Sequence, residues 1–497
     1  MTRIMEYVLL FGTTLMQAGS AMNDLPTIIH DLSPDGPGSI VIEDPATSRT
    51  VGRVPDSSLE GWNEALAAAS AAGPAWSARS SRERSDILHE CVRVLLENRD
   101  DLARTITLEM GKPVAESQAE VDYAVDYIRW YAEEAVRPAG DYRADPKGGS
   151  AIITTRAPVG LALLIAPWNF PMAMATRKIA PALAAGCTAV VKPAELTPLT
   201  TYLVVRLMIR AGVPEDAVRV VTTTDPAAMS ASMMADPRVR KVSFTGSTGV
   251  GAVLLGQAAP RIMRTSMELG GNAPLIVFDD ADLERAVDGA FAAKMRNGGQ
   301  SCVAANRILV QDGIADAFVD GLAERFDGMV LGHGLEEGTT LGPVIDARAV
   351  RRIGELVEDA LDRGAVEVTA ERDLPDEGHF VAPSLLDRVD TDARISSTEI
   401  FGPVAAVSRF SDPEQALAIA NDTPHGLAAY VFTESLERAF DTAERLETGM
   451  VGINRGVISN VAAPFGGVKT SGIGREGSSE GIEEYQEIRY LNLDRRR

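Results

Sequence analysis

The chain has 497 residues, which is too long for a single hydrophobic core, so we expect two or three domains. Hydrophobic residues make up 45% of it, enough to bury a large core. Its formal net charge of −22 argues against nucleic acid as a partner, because an acidic surface repels a phosphate backbone.

The first residues, MTRIMEYVLLFGTTLMQAGSA, combine an early arginine, an apolar run and a small-residue end, as a weak secretory signal does. Polar residues interrupt the apolar run and Glu6 spoils the basic start, so we favour another interpretation. Residues 1–41 are predicted to be an N-terminal extension that is poorly ordered at its start, or else residues 1–21 result from a start codon upstream of the true start at Met22. No other stretch approaches the length needed to span a bilayer, so no membrane partner is expected.

Three cysteines, Cys91, Cys187 and Cys302, are widely spaced and odd in number. That pattern is not a disulfide framework and is typical of a protein of the reducing cytoplasm. The sequence contains neither CxxC nor HExxH, so no metal site is expected.

The predicted elements change in character along the chain. Residues 57–140 show amphipathic helical periodicity. Short apolar runs then alternate with stretches long enough for crossover helices, and these runs lie at 159–166, 188–192, 218–221 and 241–244. Strands that are apolar throughout and are separated in this way indicate a parallel sheet covered on both faces. A second α/β set follows Glu268, with further strands at 274–278, 307–310 and 450–454.

Two segments, 146–159 and 480–493, alternate hydrophobic and polar residues as edge strands do. An exposed strand edge invites pairing with another chain. We therefore expect these segments to form a β-flap that pairs with another subunit.

Two motifs indicate a nucleotide site at the C-terminal edge of the first sheet, where open parallel sheets bind their ligands. FTGSTGVG places Gly246 between a strand and a helix, where backbone N–H groups can hold a phosphate, although an isolated glycine turn is as often structural. KPAE places Lys192 and Glu195 at the end of a strand. They offer a donor and an acceptor for ribose hydroxyls, or they are two solvated charges of a surface loop.

Three motifs supply candidate catalytic groups. MRNGGQSCVAANR holds Cys302 in a turn rich in glycines and amides, unlike the apolar surroundings of a structural cysteine. MELGGNAP sets the Glu268 carboxylate among apolar residues, either as an ion-pair partner or as a base. APWNFP fixes Asn169 between two prolines, where its amide suits an oxyanion, or where it is an ordinary turn residue.

Seven motifs occur in the order found in the NAD(P)-dependent aldehyde dehydrogenase family, which the chain resembles from about residue 42 to 493: APWNFP, VVKPAE, FTGSTGVG, MELGGNAP, NGGQSCVAANR, EIFGPV and PFGGVKTSGIGRE. Within the family it looks most like succinate-semialdehyde dehydrogenases, on TRK, RNGGQSC, TTLGPVI and GMVGINRGVISN. The resemblance implies an aldehyde dehydrogenase-like α/β fold with a parallel-sheet cofactor domain, an α/β catalytic domain and the β-flap. The NAD(P)-binding domain would comprise residues 42–145 and 160–270, and the catalytic domain residues 271–465.

The resemblance also implies roles for single residues. Cys302 would be the nucleophile, in a polar turn that favours its thiolate. Asn169 and the Cys302 backbone N–H would hold the oxyanion, and Glu268 would activate the water that hydrolyses the thioester. The cofactor would be bound by Pro167, Trp168, Lys192, Glu195, Gly246, Ser247, Leu269, Glu399 and Phe401.

NAD is expected as the preferred cofactor, with NADP possible. The loop TTTDPAAMS after strand 218–221 has no arginine or lysine for a 2′-phosphate, and Glu195 would repel one.

Succinate semialdehyde is the expected substrate, bound by residues that the resemblance assigns to the far carboxylate and the tunnel: Arg177, Arg296, Ser459, Phe170 and Phe465. In the alternative interpretation, Arg177 and Arg296 pair with protein acids such as Asp288 and Glu284 and never meet substrate.

Other functions stay open at this point. The substrate could be glutarate semialdehyde or an uncharged aliphatic aldehyde, or the protein could be a catalytically silent binding protein of the same fold. Retention of Cys302, Glu268 and Asn169 counts against the silent protein, and Glu268 favours hydrolysis over acyl transfer to coenzyme A. We expect a homodimer or homotetramer in the cytoplasm.

Overall fold

The structure, a computed structural model, describes residues 25–27, 32, 38–137 and 140–495. In these ranges the strands are β1 (Ser39–Glu43), β2 (Thr50–Pro55), β3 (Asp141–Ala144), β4 (Ser150–Pro158), β5 (Leu161–Ile165), β6 (Ala189–Lys192), β7 (Val218–Val220), β8 (Val239–Thr245), β9 (Arg264–Glu268), β10 (Ala273–Val277), β11 (Ala305–Gln311), β12 (Val366–Glu367), β13 (Ser384–Asp387), β14 (Val404–Phe410), β15 (His425–Gly426), β16 (Ala428–Phe432), β17 (Met450–Ile453), β18 (Val468–Lys469), β19 (Gly472–Ile473) and β20 (Gln486–Asp494). The helices are α1 (Leu59–Ser77), α2 (Ser81–Glu97), α3 (Arg99–Met110), α4 (Val114–Glu134), α5 (Ala173–Ala185), α6 (Leu199–Arg210), α7 (Pro226–Ala235), α8 (Thr248–Ala258), α9 (Leu283–Met295), α10 (Ala315–Asp327), α11 (Ala347–Asp362), α12 (Arg394–Ser397), α13 (Pro413–Asn421), α14 (Leu436–Arg445) and α15 (Ser478–Glu483).

The first large sheet has six strands in the order β19-β9-β8-β5-β6-β7. The five strands from β5 to β9 run parallel, and β19 is antiparallel at the edge. The four predicted strands of this sheet are confirmed as β5, β6, β7 and β8, with ends that differ by one or two residues. Side chains of β5 and β6 are buried on both faces, which explains why these strands read as uninterrupted apolar runs.

The second large sheet has seven strands in the order β12-β13-β14-β11-β10-β16-β17, parallel apart from β12. β10, β11 and β17 confirm the predicted strands. The sequence pattern did not reveal β13 and β16, although every residue of both is buried. An apolar run of four or five residues cannot be told from a piece of buried helix by periodicity alone.

The β-flap is a three-stranded antiparallel sheet in which β4 lies between β20 and β3. The observed strands and helices differ from the predicted flap segments at two places. Residues 480–483 belong to α15 rather than to a strand, and β3 lies in this sheet although residues 141–144 were assigned to the cofactor domain. β20 exposes Ile488, Tyr490 and Leu493, so its outer side is available for contact. The division into domains stays a prediction.

The N-terminal part of the described chain is a hairpin of β1 and β2. Residues 39–41 of the predicted 1–41 extension are therefore strand, because they hydrogen-bond with β2. Residues 1–24, which carry the alternative of a secretory signal, lie outside the described residues. In the described ranges no helix is both long and apolar enough to cross a membrane.

A buried ion pair fixes the turn that follows β5. The Glu120 carboxylate, on α4, accepts hydrogen bonds from the backbone N–H groups of Met172 (2.9 Å) and Ala173 (3.1 Å), where α5 begins. Its second oxygen receives the Lys112 ammonium at 2.6 Å, and that ammonium also donates to the Asn169 carbonyl at 2.9 Å. The first N–H groups of a helix lack intrahelical partners, so a carboxylate there is stabilising.

Another buried glutamate caps the helix that follows β6. Glu109, on α3, accepts from the backbone N–H groups of Leu199 (2.7 Å) and Thr200 (2.9 Å), where α6 begins. Burial raises the pKa of Glu109 to about 8, although these hydrogen bonds oppose the shift. The helices of the N-terminal half therefore set the positions of α5 and α6 against the sheet.

Replacing Glu120 with glutamine should lower the free energy of unfolding by about 3 kcal/mol, because the Lys112 ammonium loses its buried counter-charge. Urea denaturation followed by circular dichroism measures this loss. The control variant Glu90→Gln removes a carboxylate from an exposed pair with Arg93 and should leave the transition nearly unchanged. Indistinguishable transitions for the two variants would contradict the structural role of the buried pair.

Candidate active site

A cavity of about 260 Å³ opens where β5, β8 and β9 end. Loops leave parallel strands at this edge, so side chains from distant parts of the sequence meet there. The cavity is lined by fourteen of the predicted site residues: Pro167, Trp168, Asn169, Phe170, Arg177, Gly246, Ser247, Leu269, Arg296, Cys302, Glu399, Phe401, Ser459 and Phe465. Three predicted residues do not line it: Lys192, Glu195 and Glu268.

The loop that carries Cys302 begins where α9 ends, with a tight turn at Arg296–Gly299. Asn297 and Gly298 adopt left-handed backbone angles in this turn (φ 60° and 59°). A Cβ at Gly299 would lie 2.1 Å from a backbone carbonyl oxygen, so only glycine fits there. The Asn297 backbone N–H donates to Glu116 on α4 at 2.9 Å, which holds the turn from outside.

Side-chain amides join this loop to the turn that carries Asn169. The Asn169 Nδ2 group donates to the Gln300 carbonyl at 3.0 Å, and Asn297 Nδ2 donates to the Asn169 carbonyl at 3.0 Å. The Gln300 side chain accepts from the Ile345 N–H at 3.0 Å. These bonds fix the Asn169 carboxamide and Cys302 on the wall of one cavity.

The Cys302 thiol does not have the thiolate-favouring environment that the polar turn led us to expect. Burial raises the pKa of Cys302 to about 12; the carboxylates of Glu399 and Glu268 add to the shift and Arg177 opposes it. The expectation was wrong because burial outweighs the polar character of the turn, and the side-chain amides of Asn297 and Gln300 bond within the loop itself. We therefore expect the thiol to keep its proton at neutral pH.

Glu268 ends β9 and is 3% exposed. Neither of its carboxylate oxygens has a hydrogen-bond partner among the described residues. Burial, with the charge of Glu476 in addition, raises the pKa of Glu268 well above its usual value. The absence of a side chain at Gly466 leaves room beside it, since a Cβ there would stand 3.0 Å from the Glu268 Oε1 atom.

Arg177 has a protein acid as its partner, but not one of those anticipated. Its Nε atom lies 2.5 Å from the Glu476 carboxylate, and its guanidinium lies 4.2 Å from the Phe465 ring centroid. Lys178 reaches the other oxygen of Glu476, also at 2.5 Å. Burial opposes ionisation of Glu476, yet these two cations hold its pKa below the usual value.

The acids proposed as partners for the two arginines lie elsewhere. Asp288 and Glu284 pair with Arg325 at 3.0 Å and 3.1 Å on the protein surface. That part of the alternative interpretation was wrong, because these acids point outward from α9 while Arg177 and Arg296 face the cavity.

Arg296 has no carboxylate within ion-pair distance among the described residues. Its Nη1 group donates to the Ser459 hydroxyl at 3.2 Å. The guanidinium lies over two aromatic rings, 5.2 Å from the Phe170 centroid and 5.6 Å from the Tyr123 centroid. A half-buried cation in this setting can bind an anion that enters the cavity.

The residues at the other end of the cavity fit a dinucleotide. Ser247 caps α8, so the N–H groups of that helix face the cavity beside Gly246. A Cβ at Gly246 would lie 2.4 Å from the Phe244 ring, so the turn requires glycine. The Glu399 carboxylate accepts from a single backbone N–H, that of Gly271 at 3.3 Å, and can also accept from a ribose hydroxyl.

Lys192 and Glu195 lie at the end of β6, beside β5, and form an ion pair with each other. Both therefore stand at the same sheet edge as the cavity. Glu195 keeps about a third of its side chain exposed, whereas Lys192 is buried. Among the described residues no cluster of histidine, cysteine or acidic side chains could hold a metal ion.

Several residues of the site were missed in the sequence. Tyr123, Met174, Thr245, Ser301, Val303 and Arg352 also line the cavity. A signal was present on α4, where Glu116, Glu120, Tyr123 and Tyr127 follow one another at spacings of four, three and four residues. Polar groups at these spacings share one face of a helix, and three of the four contact the site or its loops.

Comparison with known proteins gives a consistent result. A sequence profile of the aldehyde dehydrogenase family matches residues 33–491. The glutarate-semialdehyde dehydrogenase of Pseudomonas putida is 47% identical over 460 residues, which cover 93% of this chain and 95% of that relative. The NADP(+) succinate-semialdehyde dehydrogenase GabD of Escherichia coli is 47% identical over 453 residues, 91% of this chain and 94% of that relative. The crystal structure of a succinate-semialdehyde dehydrogenase from Burkholderia pseudomallei has a TM-score of 0.90 and 46% identity, over 93% of this chain and 95% of that one.

Alkylation of Cys302 by iodoacetamide in the cofactor-free protein should rise about tenfold per pH unit from pH 7 to 10. A thiol with a pKa near 12 is still mostly protonated at pH 10, whereas an ordinary thiol levels off above about 8.5. Mass spectrometry after timed quenching measures the rate. The Cys302→Ser variant gives the background, because Cys91 and Cys187 are buried. A plateau near pH 9 would contradict the raised pKa.

Proposed function

Since the chain belongs to the aldehyde dehydrogenase family, we propose that it oxidises succinate semialdehyde to succinate, with NAD as the cofactor. The choice of substrate rests on one observation. Arg296 faces the cavity that contains Cys302 and has no carboxylate within ion-pair distance among the described residues. The carboxylate at the far end of a short semialdehyde supplies that partner while the aldehyde reaches the thiol. Both relatives compared above are named for semialdehydes of this kind.

The first step is addition of the Cys302 sulfur to the aldehyde carbon, which gives a thiohemiacetal. One N–H of the Asn169 carboxamide is committed to the Gln300 carbonyl, and the other is available for the oxyanion together with the Cys302 N–H. When bound, the oxidised nicotinamide would supply the acceptor for the hydride of this carbon, and a thioester would remain on Cys302. Because burial raises the pKa of the thiol, its proton must leave as the sulfur attacks, and the ionised Glu268 carboxylate can take this proton and pass it to solvent before the second step.

The second step is hydrolysis of the thioester, for which Glu268 is the base. Once it is ionised, a carboxylate with a raised pKa accepts a proton more strongly than an ordinary carboxylate, so Glu268 can take a proton from water. Glu268 does not line the cavity in the present arrangement, so its side chain must turn toward Cys302 to act. The two oxygens are free of hydrogen bonds within the described structure, so the turn breaks none.

The preference for NAD rests on Glu195. Its carboxylate can accept hydrogen bonds from free ribose hydroxyls, but it would repel a 2′-phosphate and it also occupies Lys192. One relative is named for NADP(+), so some activity with NADP is expected as well. The ratio of kcat/KM for the two cofactors tests the preference, and a higher value with NADP would overturn it.

A second substrate, glutarate semialdehyde, is favoured by the name of the Pseudomonas putida relative. It carries the same far carboxylate and is one methylene longer, so Arg296 and Ser459 can bind it from the same side of the cavity. The Arg296 test below applies to both substrates, and their kcat/KM values with the unmodified protein rank them.

We also propose that the protein assembles through the β-flap and works in the cytoplasm. The exposed apolar side chains Ile488, Tyr490 and Leu493 on β20 support a contact between subunits. A monomer at micromolar concentration in size-exclusion chromatography would oppose this. The three unpaired cysteines support a reducing compartment.

The Arg296→Gln variant should lose ten- to a hundredfold in kcat/KM for succinate semialdehyde, because a charged hydrogen bond contributes about 1.5–3 kcal/mol. Oxidation of butanal, which has the same chain length and no carboxylate, should change less than about threefold. Reduced-cofactor absorbance measures both. The matched control is Arg455→Gln, an exposed arginine four residues before Ser459 in the chain. Equal losses for the two aldehydes would assign Arg296 to structure and overturn the proposed substrate.

The Glu268→Gln variant should still form the thioester but should release the acid slowly, because it lacks only the base of the second step. Stopped-flow absorbance should show a burst of about one reduced cofactor per active site, followed by steady turnover lowered at least about a hundredfold. The exposed Glu434→Gln substitution serves as the control. Unchanged steady turnover in Glu268→Gln would exclude Glu268 as the base.

A further inference from the structure

Two tyrosines on α4 lie between the two arginines of the site. Tyr123 lines the cavity and is half-buried, whereas Tyr127, one helical turn later, is fully buried. Their hydroxyl oxygens are 2.8 Å apart. The Arg296 guanidinium lies 5.6 Å from the Tyr123 ring centroid, and the Arg177 guanidinium lies 5.8 Å from that of Tyr127. The pair was not singled out in the sequence.

Hydrogen-bond accounting decides which tyrosine donates. The buried Tyr127 hydroxyl has two neighbours that can share a hydrogen bond with it, Tyr123 and Arg177. The charged group beside Tyr127 is Arg177, and a guanidinium has no acceptor. If Tyr123 donated to Tyr127, the Tyr127 proton would be buried without an acceptor, which is unfavourable. Burial raises the pKa of Tyr127 well above its usual value, so this phenol keeps its proton and donates it to Tyr123.

The Tyr123 hydroxyl is then left with a proton that can point into the cavity. Ser459 also has a hydroxyl proton to donate, because its oxygen accepts a hydrogen bond from Arg296 at 3.2 Å and its own proton remains available. The cavity thus presents Arg296 and two hydroxyl donors on its lining. A carboxylate has about four lone-pair sites on its two oxygens and can accept from all three groups.

We propose that Tyr123 is a further ligand of the substrate's far carboxylate, and that Tyr127 is a positioning residue that directs the Tyr123 proton into the cavity. The proposal rests on the proposed function, because it takes the substrate to be a semialdehyde with a carboxylate. It adds a selectivity that Arg296 alone does not provide: a cation binds any anion, whereas an oriented phenol O–H favours one with an acceptor oxygen at that position.

The test uses the full-length protein and the variants Tyr123→Phe, Tyr127→Phe and the double variant, with succinate semialdehyde and butanal as substrates. Tyr123→Phe should lower kcat/KM for succinate semialdehyde about tenfold, mainly through KM, and should change butanal oxidation less than twofold. Tyr127→Phe keeps the ring but releases the Tyr123 hydroxyl, so a smaller loss of about threefold is expected for succinate semialdehyde alone. The double variant should be no worse than Tyr123→Phe, because Tyr127 acts through Tyr123.

The matched control is Tyr131→Phe. Tyr131 lies on the same helix and stacks on Tyr127 at 6.5 Å, but it does not line the cavity. This control should leave the ratio of the two substrates unchanged, and thermal unfolding shows whether each variant is folded. Losses in the Tyr123→Phe and Tyr127→Phe single variants that simply multiply in the double variant would overturn the positioning role of Tyr127. Equal losses of Tyr123→Phe for both aldehydes would overturn the role of Tyr123.

The Arg296→Gln variant separates failure of this inference from failure of the proposed function. Suppose that Arg296→Gln lowers kcat/KM for succinate semialdehyde more than for butanal, whereas Tyr123→Phe lowers both equally. The inference then fails and the proposed substrate stands. If both variants lower kcat/KM equally for the two aldehydes, the proposed substrate fails and the inference fails with it.

Discussion

The buried ion pair between Lys112 and Glu120 is the contact on which the geometry of the site depends. Glu120 satisfies the first N–H groups of α5, and Lys112 holds the carbonyl of Asn169. The neighbouring Glu116, on the same helix, holds the turn that leads to Cys302. The two loops that form the catalytic part of the cavity are thus both attached to α4, so neither can shift without breaking a bond to a buried or half-buried charge.

Burial of the site away from water also determines how its catalytic groups ionise. Burial raises the pKa values of Cys302 and Glu268, so both groups are harder to ionise than they would be in water, and the proposed reaction depends on proton transfer from them. Burial also makes an unpaired charge unfavourable. The two arginines of the site differ in how their charges are compensated. Arg177 is paired with Glu476, whereas Arg296 has Ser459 and two aromatic rings but no acid within ion-pair distance among the described residues. A substrate carboxylate is the partner that Arg296 lacks.

Much of this could be predicted from the sequence, but not its electrostatics. Four strands of the first sheet followed from apolar runs, and fourteen cavity residues followed from the resemblance to aldehyde dehydrogenases. The raised pKa of Cys302 could not be predicted. The sequence shows the amides of the turn, but it does not show that the side chains of Asn297 and Gln300 hydrogen-bond within the loop. The partner of Arg177 was equally hidden, since Glu476 comes from a segment near the other end of the chain. Strand β16 was missed because a short apolar run carries no periodicity.

The central claim is that the cavity selects an aldehyde by a carboxylate at its far end. The most direct measurement is the kcat/KM of the unmodified protein for succinate semialdehyde and for butanal, assayed by reduced-cofactor absorbance under the same conditions. Arg296 and Ser459 would each make a charge-assisted hydrogen bond only with the semialdehyde, which has the far carboxylate. These two bonds predict a kcat/KM at least about a hundredfold higher for succinate semialdehyde than for butanal. Equal kcat/KM values, or a preference for butanal, would contradict the account.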